Sequence, residues 1–179
     1  MTIYIGLLRG INVGGHHIIK MADLRNLLEA MGLRKVKTYI QSGNILFESD
    51  EESRSLTRRL EDEISKTFGF PVPVVLRTAT ELNEIIQNCP YTLSSLDEGE
   101  SVHVAFLAEE PSPEGVNQLS SFQNEKERFQ IIGKQVYLFF QISFRDSKLA
   151  AKLSKLGVHA TVRNWKTVMK LDSLVNTLK

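Results

Sequence analysis

The sequence predicts an α+β fold in two parts. Three observations support this prediction: a short apolar run opens the chain, helix-like and strand-like patterns alternate after it, and a turn-rich acidic stretch at residues 90–101 precedes a second series of the same patterns. At 179 residues, with 42% hydrophobic and 24% charged residues, the chain resembles an ordinary globular protein of one or two domains.

The first elements are a strand, a helix and a hairpin. Residues 3–8 are continuously apolar and too few for a helix, which predicts a buried central strand. Apolar residues recur at helical spacing over residues 21–31. Residues 35–47 alternate as two strands around a tight turn at Ser42 and Gly43, which indicates a β-hairpin.

The next elements complete a ferredoxin-like half. Leucine and isoleucine at helical spacing predict a helix that starts near residue 56 and ends near residue 68, and residues 73–77 form a predicted strand. The order βαββαβ is that of the split βαβ, or ferredoxin-like, motif. Thr78 and Glu81 have the spacing of a capping box, so we expect one more helix to close a subdomain at residues 1–89.

The second half is predicted as βαββα plus a terminal helix over residues 102–179, after a linker at residues 90–101. We find no residue-level repeat between the halves, so their similarity is one of pattern. The predicted elements are a strand at residues 102–107, a helix starting at Ser112 and Pro113, a hairpin at residues 129–140 turning at Gly133 and Lys134, a helix at residues 147–156 stopped by Gly157, and a helix from Trp165.

The net charge and its distribution limit the classes of function that the chain can serve. A net charge of +1 argues against nucleic acid as a partner, since proteins that bind the phosphate backbone carry strongly basic surfaces. The charge is unevenly spread, because residues 81–114 hold eight acidic residues and no Lys or Arg. These are either solvated faces or a surface that steers a charged partner.

The chain is expected to be cytoplasmic and to lack a membrane segment. Its first residues include no basic region followed by a long apolar run. Cys89 is the only cysteine, which excludes an internal disulfide and fits a reducing compartment. The four histidines, His16, His17, His103 and His159, do not have the spacing of a metal site, so no metal is predicted.

A glycine-rich loop follows the first strand and is the first candidate for ligand binding. It contains Arg9, Asn12, Gly14 and Gly15 and ends near Lys20. Glycines let backbone N–H groups converge on an anion, and a helix N-terminus nearby favours negative charge. The loop matches neither nucleotide-binding glycine motif, and a tight strand-to-helix connection explains the glycines equally well.

Two further polar segments accompany this loop. Gln41, Ser42 and Asn44 lie at the hairpin turn, and in a ferredoxin-like sheet the start of the third strand lies beside the end of the first. We therefore expect this turn to join the Arg9 loop in one site, although Ser-Gly-Asn is also ordinary turn chemistry.

The last polar segment comprises Arg163, Asn164 and Trp165. The arginine offers a carboxylate or phosphate two parallel hydrogen bonds, and the tryptophan offers a stacking plane. Asn164 equally suits the N-cap of the last helix, which is a purely structural role. Whether this segment joins the Arg9 loop is left open.

These blocks resemble those of a bacterial family known as domain of unknown function sixteen ninety-seven. The resemblance is carried by residues 7–15 (Leu-Leu-Arg-Gly-Ile-Asn-Val-Gly-Gly), by residues 38–44 (Thr-Tyr-Ile-Gln-Ser-Gly-Asn) and by residues 163–165 (Arg-Asn-Trp). It implies a two-part α+β fold with a ferredoxin-like first half and no established activity, cofactor or partner. Residues 141–148 depart from the family pattern, which has a glycine-bearing stretch there.

We predict that the protein binds a small anionic or phosphorylated ligand in a cleft formed by these polar segments, since clefts are the usual sites of ligand binding. The alternatives are a nucleic-acid module that uses its sheet face and an interaction protein without a ligand. No general base can be named, so the catalytic residues and the cofactor stay unknown.

Overall fold

A computed structural model describes all residues from 1 to 179 and contains two four-stranded antiparallel sheets. It confirms the predicted α+β class. None of its helices combines the length and apolar character needed to span a lipid bilayer. The elements of the first sheet and its helices are β1 (Thr2–Leu8), α1 (Met21–Ala30), β2 (Arg34–Tyr39), β3 (Asn44–Ser49), α2 (Ser53–Phe68), β4 (Val74–Thr78) and α3 (Ala79–Gln87).

The first sheet has the strand order β2-β3-β1-β4, which is the ferredoxin-like order. The apolar run of β1 is central, with Ile5 opposite Leu46 of β3 and Arg77 of β4. Helices α1 and α2 cover one face of this sheet, and their apolar positions form one core with its strands. That core includes Tyr4, Leu8, Leu24, Leu28, Ile45, Phe47, Leu56, Leu60, Ile64, Val74 and Leu76.

The opposite face of the first sheet is also buried. Ile5, Leu7, Leu46 and Val75 point away from α1 and α2, and each is at most 4% exposed. The alternation of a strand therefore produces two buried faces here, which is why β1 has a continuous apolar sequence instead of an alternating one.

The second sheet has the order β6-β7-β5-β8, which repeats the arrangement of the first. Leu107, Leu119, Phe129, Leu138 and Leu149 belong to its core. Its elements are β5 (Ser101–Leu107), α4 (Pro113–Ser120), β6 (Glu127–Ile132), β7 (Gln135–Phe140), α5 (Lys148–Ala151), β8 (Ala160–Asn164) and α6 (Trp165–Asn176), with short 3-10 turns at Leu93–Ser95, Phe144–Asp146 and Leu153–Leu156.

The second half thus contains a fourth strand that the sequence pattern does not predict. Residues 160–164 were expected only to lead into the last helix, but they form β8 and pair antiparallel with β5. The strand escapes prediction because it is five residues long and because half-buried Arg163 interrupts its apolar alternation. With β8 included, both halves follow the order βαββαβα.

The chain divides into two compact units. The first comprises residues 1–84 and 170–179, and the second comprises residues 85–169. Within the first unit, Lys35 and Lys37 of β2 donate hydrogen bonds to the Leu178 carbonyl and the Thr177 hydroxyl, at 3.1 and 2.6 Å. In the second unit, the Tyr137 hydroxyl donates to the Ile85 carbonyl at 2.6 Å.

Candidate functional site

The glycine-rich loop of the first unit folds back on itself as a small hairpin. Five residues between Arg9 and Ile18 have a positive φ: Gly10, Asn12, Gly14, Gly15 and His17. The His16 N–H donates to the Val13 carbonyl at 3.0 Å, and the Asn12 N–H donates to the His17 carbonyl at 3.1 Å. Since Gly14 and Gly15 both have positive φ, they fit the central positions of a type I′ turn.

Gly14 and Gly15 therefore have a structural explanation. They form the exposed tip of the loop, and a Cβ at Gly15 would meet no atom within 4 Å. Their positions require left-handed backbone and not close packing. The sequence offered both a ligand cradle and a tight connection for these glycines, and the turn geometry favours the second.

Asn12 holds the base of the loop against the hairpin turn between β2 and β3. Its side-chain amide donates to the Ile19 carbonyl at 3.0 Å and to the Gln41 carbonyl at 2.8 Å, and its Oδ1 accepts from the Ile19 N–H at 2.9 Å. One side chain thus joins three segments of the chain. This contact brings the Arg9 loop and the residue 41 turn together, as the adjacency of β1 and β3 predicts.

The hairpin turn spans residues 40–43 and is longer than the predicted two-residue turn. Tyr39 pairs with Asn44, and the Gly43 N–H donates to the Ile40 carbonyl at 3.3 Å. Ile40 has a φ of +51° and is exposed, which is unusual for a β-branched residue. It therefore lies in the turn and not at the end of β2, where the sequence pattern places it.

Asn44 and Ser42 face the turn itself. Asn44 is fully buried, and its side-chain amide donates to the Tyr39 carbonyl at 2.9 Å and to the Ser42 hydroxyl at 3.2 Å. The bond to the Tyr39 carbonyl satisfies a backbone acceptor of the turn. Buried Asn44 thus supports the turn from inside, whereas Gln41 is exposed on its surface.

The exposed polar residues around Asn12 are mostly cationic. Arg9, Lys20 and Gln41 are exposed, and residues 1–22 contain no Asp or Glu. Lys20 occupies the N-cap position of α1 without a side-chain capping bond, and it directly follows Ile19, which Asn12 binds. Three of the predicted site residues, Arg9, Lys20 and Gln41, therefore lie at the same end of the strands of the first sheet.

The two loop histidines are exposed, and one of them packs on an aromatic ring. The His17 ring stacks on Phe70 with centroids 4.3 Å apart and an interplanar angle of 8°. This contact fixes the outer arm of the loop to the segment before β4. Sequence patterns do not reveal such a pairing, because the two residues are far apart along the chain.

Arg163, Asn164 and Trp165 belong to the second unit, at the junction of β8 and α6. Asn164 caps α6, since its Oδ1 accepts from the Thr167 N–H at 2.9 Å. Arg163 donates to the Val162 carbonyl at 3.0 Å, and burial lowers the pKa of its guanidinium to about 10, so it is charged at neutral pH. Trp165 is half-buried.

The first unit has a matching junction at β4 and α3. Arg77 donates to the Leu76 carbonyl at 2.9 Å, and burial lowers its pKa, opposed by the Glu81 carboxylate. Thr78 and Glu81 exchange hydrogen bonds of 3.1 and 2.8 Å, which confirms the predicted capping box. Arg77 was not singled out from the sequence, although an arginine directly before the N-cap residue of a helix occurs at both Arg77 and Arg163.

The comparisons with known proteins place the chain in a family. The family model described as protein of unknown function (DUF1697) matches residues 1–137, which is most of the chain. The chain belongs to DUF1697. No curated protein sequence matches this DUF1697 chain.

A solved structure shares the fold of this DUF1697 member. The conserved bacterial protein SP0830 from Streptococcus pneumoniae is 28% identical, with a TM-score of 0.77, over 96% of this chain and 97% of that one. A protein from Galdieria sulphuraria described as unknown is 9% identical, with a TM-score of 0.26, over 91% of this chain and 97% of that one.

Proposed function

We propose that this DUF1697 member is a cytoplasmic protein that binds a small anionic or phosphorylated ligand at one edge of its first sheet. The site, called here the loop-turn site, consists of Arg9, Lys20 and Gln41 supported by Asn12. The observation that carries the proposal is the Asn12 amide, which binds Ile19 and Gln41 and thereby fixes two polar segments beside each other.

The charge of the loop-turn site favours an anion. Arg9 and Lys20 are the only ionisable side chains among residues 1–22 apart from Tyr4 and the two histidines, so this stretch carries positive charge. A guanidinium offers phosphate or carboxylate two parallel donors, an ammonium adds a point charge, and the Gln41 amide adds a neutral donor.

The loop is preorganised for binding. Its left-handed residues, its two cross-loop backbone bonds and the three bonds of Asn12 restrict it at a site that is otherwise exposed. A rigid site loses less conformational entropy on binding than a mobile loop does. Gly14, Gly15, Ser42 and Asn44 contribute to this shape and not to the contact surface.

The sheet face offers no comparable surface for nucleic acid. RNA-recognition modules stack bases on exposed aromatic side chains of a sheet, whereas the corresponding face here presents buried Ile5, Leu7 and Leu46. The aromatic residue of β3, Phe47, belongs to the helix-covered core. The loop-turn site is therefore the better candidate, and no reaction is assigned to it.

Isothermal titration calorimetry with inorganic phosphate, pyrophosphate and a nucleoside monophosphate tests this proposal. We expect at least one of the three to bind, and we expect Arg9→Gln and Lys20→Gln each to weaken that binding about tenfold, the equivalent of about 1.4 kcal/mol. Arg58→Gln, on the exposed side of α2, is the matched control and leaves binding unchanged.

Equal affinity of the wild type, R9Q and K20Q would contradict the proposal, and so would the absence of binding at ligand concentrations of about 10 mM, well above the ~1 mM constant of a weak site. Both substitutions affect exposed side chains, so thermal unfolding of the variants separates loss of binding from loss of fold.

A further inference from the structure

The end of the first unit that carries the loop-turn site also exposes three aliphatic side chains. Val13 is 67% exposed, Ile18 is 56% exposed and Ile40 is 46% exposed. By contrast, Ile11 and Ile19 of the same loop are each 1% exposed. The core therefore explains two isoleucines of the loop but not the three exposed residues, which are called here the apolar rim.

Hydrogen bonds of Asn12 bring the apolar rim together. Val13 directly follows Asn12. The two sequence neighbours of Ile18 both have carbonyls that accept from Asn12, at 3.1 and 3.0 Å. Gln41, the neighbour of Ile40, accepts from the Asn12 amide at 2.8 Å. Each rim residue is therefore next to Asn12 or next to a residue that Asn12 binds, so the rim forms one patch with the loop-turn site, and such a patch marks a binding surface.

Ile40 has a backbone conformation that isoleucine rarely adopts. Its φ is +51°, where a β-branched residue is strained and where glycine is not. The core does not require this side chain, since nearly half of it is exposed. Strained residues cluster at functional sites, so Ile40 is independent evidence that the apolar rim contacts a ligand or partner.

Cations border the apolar rim. Arg9 and Lys20 are both exposed. Residues 9–20 and residues 39–44 contain no Asp or Glu, and the carboxylate nearest to them along the chain is that of Asp23, in the first turn of α1. Aliphatic side chains beside Lys and Arg are the composition with which peripheral proteins bind anionic lipids, since apolar burial and charge attraction both contribute to the affinity.

The shape of the loop suits a lipid surface. The tip of the loop is exposed, and a Cβ atom on Gly15 would meet no atom within 4 Å. A projecting aliphatic side chain needs either a recess of matching shape on a protein partner or a fluid layer that closes around it. The rim residues come from the loop and from the hairpin turn, and a fluid layer accommodates both without further fitting.

We propose that the loop-turn site binds the phosphate headgroups of anionic phospholipids and that the apolar rim enters the lipid layer beside them. Because Arg9 and Lys20 hold the anion in both cases, this inference rests on the proposed function and names the anion. Three partly exposed aliphatic side chains and two cations give weak, reversible binding. The affinity is comparable with that of a single myristoyl chain, whose association constant is about 10⁴ M⁻¹.

Sedimentation of the full chain with sucrose-loaded vesicles measures this binding. Mixed vesicles contain equal parts of phosphatidylglycerol and phosphatidylcholine, and neutral vesicles contain phosphatidylcholine alone. We expect half of the protein to bind at about 0.1 mM accessible lipid in mixed vesicles, as an association constant of about 10⁴ M⁻¹ requires. Binding to neutral vesicles is expected to be at least tenfold weaker, and R9Q/K20Q is expected to lose at least tenfold on mixed vesicles.

Variants of the apolar rim separate insertion into lipid from attraction by charge. V13S/I18S is expected to weaken binding to mixed vesicles about tenfold, because two aliphatic side chains no longer leave water. Ile132→Ser, at an exposed isoleucine of the second unit, is the matched control and leaves binding unchanged. Ile40→Asn is expected to weaken binding about threefold while it raises the Tm, so loss of fold cannot explain its effect.

The variant Val13→Trp reports insertion directly. Trp165 is the only native tryptophan, so a second one at the loop tip adds its own fluorescence. We expect the emission of V13W to shift to shorter wavelength on mixed vesicles, since an indole ring settles in the headgroup layer, whereas I132W shows no such shift. Sedimentation of V13W with mixed vesicles without a shift would place the rim outside the lipid and overturn the proposal.

Calorimetric titration with free phosphates distinguishes failure of this inference from failure of the proposed function. Binding of a free phosphate without binding of mixed vesicles would overturn the lipid proposal and leave the proposed function intact. Failure of both measurements would overturn both. Equal binding of mixed vesicles by the wild type and V13S/I18S would show attraction by charge alone, which also contradicts entry of the apolar rim into lipid.

Discussion

Gly43 packs directly against Ile11, so that a Cβ atom at Gly43 would lie 2.7 Å from the Ile11 Cδ1 and 2.9 Å from the Leu8 Cβ. The Leu8 N–H also donates to the Gly43 carbonyl at 2.8 Å. The glycine-rich loop and the hairpin turn are therefore in contact through a buried backbone and a buried isoleucine, and this contact supports the polar site above it.

Gly43→Ala is expected to destabilise the protein by about 2–4 kcal/mol, because it adds an overpacking cost to the cost of a positive φ. Gly10→Ala is the control, since Gly10 has a φ of +74° but its Cβ would meet no atom within 4 Å. It should cost only about 1–2 kcal/mol. Urea unfolding measures both, and equal losses would show that packing against Ile11 contributes nothing.

Ile40→Asn is expected to stabilise the protein by about 1 kcal/mol. Ile40 is exposed and has a φ of +51°, which a β-branched side chain rarely adopts and which asparagine tolerates. Thermal unfolding would show the gain as a higher Tm. A lower Tm would mean that the Ile40 side chain makes a stabilising contact despite its exposure.

Asn12→Ala is expected to cost about 1–3 kcal/mol, because the Ile19 N–H and C=O lose a partly buried partner and the Gln41 carbonyl loses an exposed one. Asn12→Gly separates this loss from backbone strain, since glycine accepts the φ of +55°. Both variants should expose the Ile19 amide to faster hydrogen exchange. Unchanged exchange in Asn12→Gly would assign the effect to φ alone.

Glu127→Gln is expected to destabilise the second unit by about 1.5–3 kcal/mol at neutral pH, because buried Glu127 accepts hydrogen bonds as a charged group. Its carboxylate accepts from the Ser147 hydroxyl at 2.6 Å, from the Asn124 amide at 2.8 Å and from the Leu149 N–H at 3.2 Å. Burial raises the pKa of this carboxyl, but the hydrogen bonds outweigh burial and hold it below its usual value.

This lowered pKa gives the Glu127 contribution a direction with pH. It is fully present above the unfolded-state pKa of about 4.3 and is lost as pH falls through the lower folded-state pKa. The stability difference between wild type and E127Q should therefore shrink below about pH 4. Denaturant unfolding from pH 7 to pH 3 measures it, and a constant difference would contradict the prediction.

His103 is expected to make the protein less stable as pH falls from about 6.5 to about 4, because burial lowers its pKa to about 4. The ring stacks on Phe144 at 4.8 Å and meets Phe140 edge-on at 5.4 Å, so protonation places a charge among aromatic side chains. His103→Gln should remove this part of the pH dependence. An unchanged profile in His103→Gln would contradict it.

The elements with regular apolar spacing were predictable from sequence. The run in β1, the leucines of α1 and α2, and the capping box of α3 each carry a local signal that the fold retains. β8 was not predictable, because its identity as a strand depends on pairing with β5, and its sequence alone favours a helix lead-in with Asn164 as cap.

The candidate site was predictable in its location but not in its details. Adjacency of β1 and β3 follows from the fold order, so the approach of Asn12 to Gln41 could be expected. The direction of Asn44 could not, because an asparagine at a turn serves either solvent or backbone, and only the fully buried position decides between them. The cleft and its ligand stay predictions.

The return of residues 170–179 to the first unit limits how this chain can be divided. Cleavage at residues 90–101 would leave an N-terminal fragment in which Lys35 and Lys37 lack their acceptors at Leu178 and Thr177. Studies of the two fragments would therefore need both in the same sample. We expect the fragments to associate on mixing and not to be independently stable.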